Sequence, residues 1–122
     1  MSASADPADD RIHAVVSTKY RQVTVCSAEA LQHHWYTSRC EKLTLPGCVL
    51  HAYEPLGDPS RFPSDLPDRL RELQRLREAM DTTPGGWNPK GPVRRAYRDY
   101  QLALAMELAG TPLRRSPRLR RA

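Results

Sequence analysis

The chain has 122 residues, of which 39% are hydrophobic and 27% charged, and its formal net charge is +5. This length allows one domain with a thin core and excludes a multidomain organisation. No apolar run reaches the ~20 residues that cross a membrane, and residues 1–10 are small and acidic where a secretory signal would be basic and then apolar. We therefore expect a cytoplasmic protein without a membrane partner.

The three cysteines, Cys26, Cys40 and Cys48, show no paired short spacing. An odd number without such spacing argues against a disulfide framework. A zinc site would need ligands at compact spacings, and only Cys48-x-x-His51 comes close. We expect reduced thiols that pack as small hydrophobic side chains, with no metal and no cofactor.

The first elements in chain order predict a strand, a helix and a second strand. Tyr20 to Cys26 is rich in β-branched residues and predicts a strand. Ser27 can cap a helix that continues to Leu43, and Pro46-Gly47 ends it. Cys48 to Tyr53 then predicts a second strand. This order with short joints is typical of a βαβ unit, in which the two strands pair in parallel.

Two amphipathic helices follow. Apolar residues recur every three or four positions from Asp65 to Met80, and again from Pro92 to Leu108, where Gly110 ends the pattern. The predicted fold is α/β, with a small parallel sheet of the Rossmann or flavodoxin kind, two to four strands and three helices. The predicted domain spans 12–113, between a disordered segment at 1–11 and a disordered arginine-rich tail at 114–122.

Two stretches carry a resemblance to a known family. One joins Val23-Thr-Val-Cys-Ser27 to Leu43-Thr-Leu-Pro-Gly-Cys-Val-Leu50, and the other joins Pro84-Gly-Gly-Trp87 to the helix and exit at 99–113. Together they resemble the nucleoside 2-deoxyribosyltransferase-like family, of which this chain would be a reduced and degenerate member. The resemblance implies a nucleoside or nucleotide ligand, bound by Cys26, Ser27, Gly85, Gly86 and Trp87.

The physics of such a site is consistent with these residues. Cys26-Ser27 would lie at the carboxyl end of a parallel strand, where open α/β sheets hold ligands. Gly85 and Gly86 would allow close approach of the backbone, and Trp87 could stack on a base. The structural alternative is that the two glycines form an ordinary turn and that Trp87 fills a gap in the core.

The same resemblance places Gln101 where the family has its nucleophilic Glu. An amide cannot act as a carboxylate nucleophile, so glycosyl transfer is expected to be impaired or absent. Asp99 and Asp81 are the remaining catalytic candidates. Asp99 lies about 200° round the helix from Gln101, so the two point in different directions. Any remaining activity would be nucleoside deoxyribosyl transfer or N-glycoside hydrolysis.

The tail carries the most direct signal of a charged partner. The positive charge of its five arginines equals the net charge of the whole chain. These arginines are Arg114, Arg115, Arg118, Arg120 and Arg121. Such a segment binds phosphates by charge, with an affinity that falls as salt rises. The alternative function is therefore a non-enzymatic interaction protein that binds nucleic acid or an acidic protein partner through its helices and tail. A homo-oligomer stays open.

Overall fold

The computed structural model describes residues 11–27, 30–31 and 40–110. Within these residues the strands are β1 (Ile12–Ser17), β2 (Gln22–Cys26), β3 (Glu41–Leu45) and β4 (Cys48–Ala52). The helices are α1 (Leu66–Thr82) and α2 (Pro92–Ala109), preceded by a short 3-10 helix at Pro59–Arg61. Neither α1 nor α2, nor any shorter helix in this part of the chain, has the length and apolar character to cross a membrane.

The sheet is mixed rather than parallel. Its strand order is β2-β1-β4-β3, with β1 and β4 parallel and both outer pairs antiparallel. The predicted parallel pairing of the strands at 20–26 and 48–53 is therefore wrong, because β1 lies between them and they run in opposite directions. The physical reason is the turn at 18–21, which folds the chain straight back so that β1 and β2 form a hairpin.

The predicted helix that follows Ser27 is also wrong where it meets β3. Residues Glu41–Leu45 pair with β4 through Pro46-Gly47, and Gly47 has a φ of 82°. Proline followed by a glycine with positive φ matches the type II turn, so this dipeptide reverses a strand instead of ending a helix. At the predicted helix start, residues 30–31 are helical and the Ser27 hydroxyl accepts a hydrogen bond from the Ala30 amide at 3.0 Å. Residues 28–29 and 32–39 lie outside the described residues.

Both later helices are confirmed and cover one face of the sheet. Pro92 stands at the first position of α2, and Gly110 ends it with a φ of 76°. The two helices pack with the sheet in one apolar core that includes Ala14, Val16, Val23, Leu50, Leu70, Leu73, Met80, Leu104 and Leu108. Their apolar stripes are thus covered within this chain. The predicted terminal segments, including the five tail arginines, fall outside the described residues.

Candidate functional site

The predicted nucleoside crevice does not form at Cys26-Ser27. Cys26 pairs with His13, so it lies beside the amino end of β1, whereas ligands of open α/β sheets bind at the carboxyl ends of parallel strands. Burial raises the pKa of the Cys26 thiol, although nearby Arg77 acts in the opposite direction. The thiol is therefore no activated nucleophile.

A small crevice lies next to Cys26, between β2 and the two helices. It measures about 150 Å³ and is lined by residues that include Val25, Leu73, Arg77 and Tyr97. Ligand pockets for drug-sized molecules usually have about 300–1,000 Å³. The crevice is thus smaller than an ordinary ligand pocket.

The two glycines of the α1–α2 loop have a structural role. The Gly86 amide donates to the Thr83 carbonyl at 2.8 Å, and a Cβ on Gly86 would lie 2.3 Å from the Met80 carbonyl oxygen. Gly85 has a φ of 72°, in the region that glycine adopts most easily. The turn therefore needs both glycines, as the structural alternative predicts.

Trp87 does not fill a core gap, since 47% of its surface is exposed. Its indole N–H donates to the Asp81 carboxylate at 2.9 Å. The guanidinium groups of Arg77 and Arg94 lie 5.1 and 5.7 Å from its ring centroid, within the range of cation–π contacts. The ring is therefore fixed in place at the surface by one hydrogen bond and two cations.

Gln101 connects α2 to the sheet. Its side chain is only 6% exposed, and its Nε2 group donates to the Val23 carbonyl at 3.1 Å and lies 3.4 Å from the Tyr97 hydroxyl oxygen. Arg98 donates from Nη1 to Gln101 Oε1 and to the Arg21 carbonyl, both at 3.2 Å. These bonds satisfy carbonyl groups along β2, an edge strand that would otherwise offer them to another chain.

The three predicted catalytic residues do not converge. Gln101 is buried against β2, Asp81 is engaged by the indole of Trp87, and Asp99 is exposed on α2. The structure thus gives Gln101 and Asp81 positioning roles and does not bring the three predicted residues together.

The structure also separates the candidate metal ligands. Cys48 and His51 are three positions apart on β4, so they project from opposite faces of the sheet. His51 instead stacks on His13 of β1, with 3.3 Å between Nε2 of His51 and Nδ1 of His13. Among the described residues, no group of three or more potential ligands is close enough to hold a metal ion.

A row of cations that sequence reasoning missed follows the outer edge of β2. We call it the basic strip, and its members are Lys19, Arg21, Arg77, Arg94 and Arg98. The contacts on Trp87 join Arg77 to Arg94, and Arg98 lies one helical turn beyond Arg94 on the same side of α2. Arg98 then reaches the backbone of Arg21 in the β1–β2 turn.

The β1–β2 turn is held rigidly at the far end of the strip. The Glu54 carboxylate accepts hydrogen bonds from the Thr18 amide at 2.7 Å and from the Ser17 hydroxyl at 3.1 Å. Burial opposes ionisation of Glu54, but these bonds outweigh it and lower the pKa of its carboxyl group. Tyr20 is 63% exposed in this turn, with the Lys19 ammonium 5.3 Å from its ring centroid.

An open hollow of about 310 Å³ adjoins this turn. Lys19 and Arg21 line one side of it, and Ala105, Met106 and Ala109 of α2 supply apolar surface. It lies near the carboxyl ends of the parallel strands β1 and β4, the edge where the fold favours a ligand. The hollow is shallow and cationic.

The strip differs from the outer surface of α1 in how its charges are satisfied. On α1, Arg69 pairs with Asp65 and Glu107, Arg71 pairs with Asp68, and Arg75 pairs with Glu72. Throughout the part of the chain that the structure describes, no strip cation forms an ion pair with a carboxylate. The strip therefore presents positive charge to solvent.

Three separate segments contribute to the strip, which is why the sequence hides it. The local signals are the exposed trio Lys19-Tyr20-Arg21 and the spacing of Arg94 and Arg98 by four residues. Net charge does not reveal it, because residues 1–113 are neutral overall. No protein-family model, curated protein or solved structure matches this chain.

Proposed function

We propose that this chain is a non-enzymatic module that binds nucleic acid through the basic strip. The observation that carries the proposal is the row of five cations that have no carboxylate partner among the described residues, bordered by the exposed rings of Tyr20 and Trp87. Basic grooves that combine phosphate contacts with exposed aromatic rings are how proteins bind nucleic acid without reading its sequence. Such binding needs no catalytic group.

The arrangement of charge on α2 supports this function. Arg94, Arg95 and Arg98 lie in the first two turns of the helix, and its first turn has no acidic residue. The amino end of a helix is positive, so cations there cost about 0.3–1 kcal/mol each at an exposed site. A bound phosphate would remove this cost, because it would interact favourably with both the helix dipole and the arginines.

The backbone of Arg21 supports it as well. Arg21 is the one described residue other than glycine with a positive φ, at 55°. This left-handed conformation costs an ordinary residue about 1–2 kcal/mol, and glycine would adopt it freely. A cation kept at a strained position is consistent with a binding role for its side chain.

The nucleoside-binding interpretation has less support. It needs two neighbouring parallel strands that end in a crevice at Cys26, whereas β2 runs antiparallel to β1 at the edge of the sheet. Docking of a protein partner on the helix stripes is likewise weakened, because the sheet covers those stripes. The tail arginines would add phosphate contacts to the strip.

A binding titration tests the proposal. A labelled 20-nucleotide oligonucleotide would be titrated with the full chain over a range of salt concentrations. Neutralising Arg94 and Arg98 together by R94Q and R98Q should weaken binding and reduce the slope of log affinity against log salt by about 1.4, at about 0.7 per lost contact with a single strand. Circular dichroism would verify that the variant folds.

The matched control is R71Q with R75Q on α1, which changes the net charge by the same amount. Both arginines are exposed and paired with neighbouring carboxylates, so their loss should leave the slope unchanged. If both double variants weaken binding equally, the chain attracts nucleic acid by net charge alone and the strip has no role. If the unmodified chain does not bind the oligonucleotide, the proposal is wrong.

A further inference from the structure

We infer that the basic strip holds a single strand, with unpaired bases stacked on Trp87 at one end and beside Tyr20 at the other. This inference rests on the proposed function and adds the class of nucleic acid that fits. Its first support is the placement of exposed rings. Of the three large hydrophobic side chains that are exposed in the described residues, two lie on the strip.

The Trp87 ring is pre-organised for stacking, and the backbone that carries Tyr20 is held in place. The Trp87 ring is oriented by Asp81 and by two guanidinium groups, which themselves can extend a stack on a base. Tyr20 stands on a turn that Glu54 fixes, and its own amide donates to the Ser17 hydroxyl at 3.2 Å. Little conformational entropy is lost when a base stacks on a ring that is already held.

The distance between the two ends fits a short segment of one strand. Arg94 touches Trp87, and Met106 lines the hollow next to Lys19 and Arg21. These two α2 residues lie about 18 Å apart along the helix axis, at about 1.5 Å per residue. At about 3.4 Å per phosphate, the rise along one strand of a duplex, that distance spans about five phosphates at most, and fewer in a strand that is extended by splaying its bases.

The hollow is lined by Lys19 and Arg21, the residues on either side of Tyr20 in the chain, and it gives the strip a place for a base. Its volume of about 310 Å³, apolar surface and two cations suit a flat ring attached to a phosphate. A duplex keeps its bases stacked inside, so it would present only phosphates and would leave both rings unused. A single strand can splay its bases onto both rings while its phosphates follow the arginines.

The experiment compares four probes on the full chain at one salt concentration. These are a thymidine oligonucleotide, an abasic oligonucleotide of equal length, a duplex and heparin. The thymidine strand should bind more tightly than the abasic strand, because the two differ only in their bases. Replacing either ring by W87L or Y20L should weaken binding of the thymidine strand about five- to 150-fold, a larger factor than the accompanying loss of abasic binding.

Y53L is the matched control, since Tyr53 is 40% exposed and is not part of the strip. W87F retains a ring and should restore part of the affinity that W87L loses, which separates stacking from damage to the fold. Y20L, on an exposed turn, provides a second test that does not depend on the Asp81 contact.

The outcomes distinguish the two proposals. If all four probes bind equally well and the ring variants bind like the unmodified chain, the single-strand inference is overturned while the strip stays a phosphate-binding surface. If the duplex binds more tightly than the single strand, the inference is also overturned. If none of the four probes binds, both the inference and the proposed function fail.

Discussion

Replacing Gln101 by glutamate exchanges one N–H donor group for an oxygen without changing the size of the side chain. In the folded chain the Gln101 amide donates to the Val23 carbonyl, while its oxygen accepts from Arg98. The Q101E variant keeps the hydrogen bond from Arg98. At the Val23 carbonyl, however, it places two acceptor oxygens opposite each other. The edge strand β2 thereby loses a hydrogen bond from α2.

The size of the effect follows from burial. Gln101 is 6% exposed and Val23 is fully buried, so water cannot replace the lost donor. A buried carbonyl left without its partner costs about 1–3 kcal/mol, and a charged carboxylate at this position adds a desolvation penalty. The new charge also faces Arg98, which offsets part of that penalty. We expect Q101E to lower the free energy of unfolding by about 1–3 kcal/mol at neutral pH.

The pH dependence gives the sharper test. A protonated carboxyl group can donate to the Val23 carbonyl, so the fold should raise the pKa of the introduced group above the ordinary glutamate value of about 4.3. The stability deficit is then present above the raised pKa and shrinks as the pH falls through it. A Q101L variant removes donor and acceptor without adding a titratable group, so its deficit should not depend on pH in this range.

Urea unfolding followed by circular dichroism measures both effects, with the midpoint and slope recorded at several pH values. A Q101E variant that is as stable as the unmodified chain at neutral pH would refute the assigned role of Gln101. A deficit that persists unchanged in acid would contradict the acceptor–acceptor contact. We also expect Q101E to release no base from deoxynucleosides, since the crevice near Cys26 is smaller than an ordinary ligand pocket and the new carboxylate would be buried against β2.

Three further predictions follow from single contacts. R21G should raise the free energy of unfolding by about 0.5–1 kcal/mol because it relieves the strain of the positive φ, and it should weaken oligonucleotide binding. A variant that is less stable in urea than the unmodified chain would contradict this prediction. Burial and two neighbouring cationic or titratable groups lower the pKa of His51. The free energy of unfolding should therefore decline as the pH falls from the ordinary histidine pKa of about 6.5 through the lower folded pKa, and H51Q should flatten this decline. Equal acid profiles for H51Q and the unmodified chain would contradict the assignment. G86A should lower the free energy of unfolding by about 1–3 kcal/mol or more, because its Cβ would clash with the Met80 carbonyl. The Cβ of G85A meets no atom within 4 Å, so G85A should lower it by only about 1 kcal/mol through the positive φ. Equal melting temperatures for the two variants would contradict the assigned packing.

The helices could be predicted from the sequence because their signals are local. The apolar spacing of α1 and α2, Pro92 at the first position and Gly110 after the last are all encoded within a few residues of the feature they specify. Tertiary packing then buries the same stripes that the spacing identifies. No distant residue is needed to explain these elements.

The strands at 20–26 and 48–53 could be predicted, but the order and direction of the sheet could not, because its turns are specified from a distance. The β1–β2 turn has no Gly or Asn, and its left-handed position is filled by Arg21. It is held by Glu54, which is 36 residues away from Thr18 along the chain. The opposite problem arises at Pro46-Gly47, where the same dipeptide suits either a helix end or a hairpin.

The candidate site was hidden for the same reason. The sequence marks Trp87 as a candidate ligand-binding residue, but its neighbours Arg77 and Arg94 come from two different helices. The strip exists only because the β1–β2 hairpin places Lys19 and Arg21 beside α2. A parallel sheet of the predicted kind would have scattered these charges.

The most direct measurement of the central claim is a map of the bound surface by nuclear magnetic resonance. Isotope-labelled full-length chain, with its five tail arginines changed to glutamine, would be titrated with a thymidine oligonucleotide. We predict that the largest amide shifts fall in the β1–β2 turn, around Trp87 and along α2 from Arg94 to Met106. Shifts concentrated instead on the ion-paired surface of α1 or on β3, with the strip unchanged, would contradict the account.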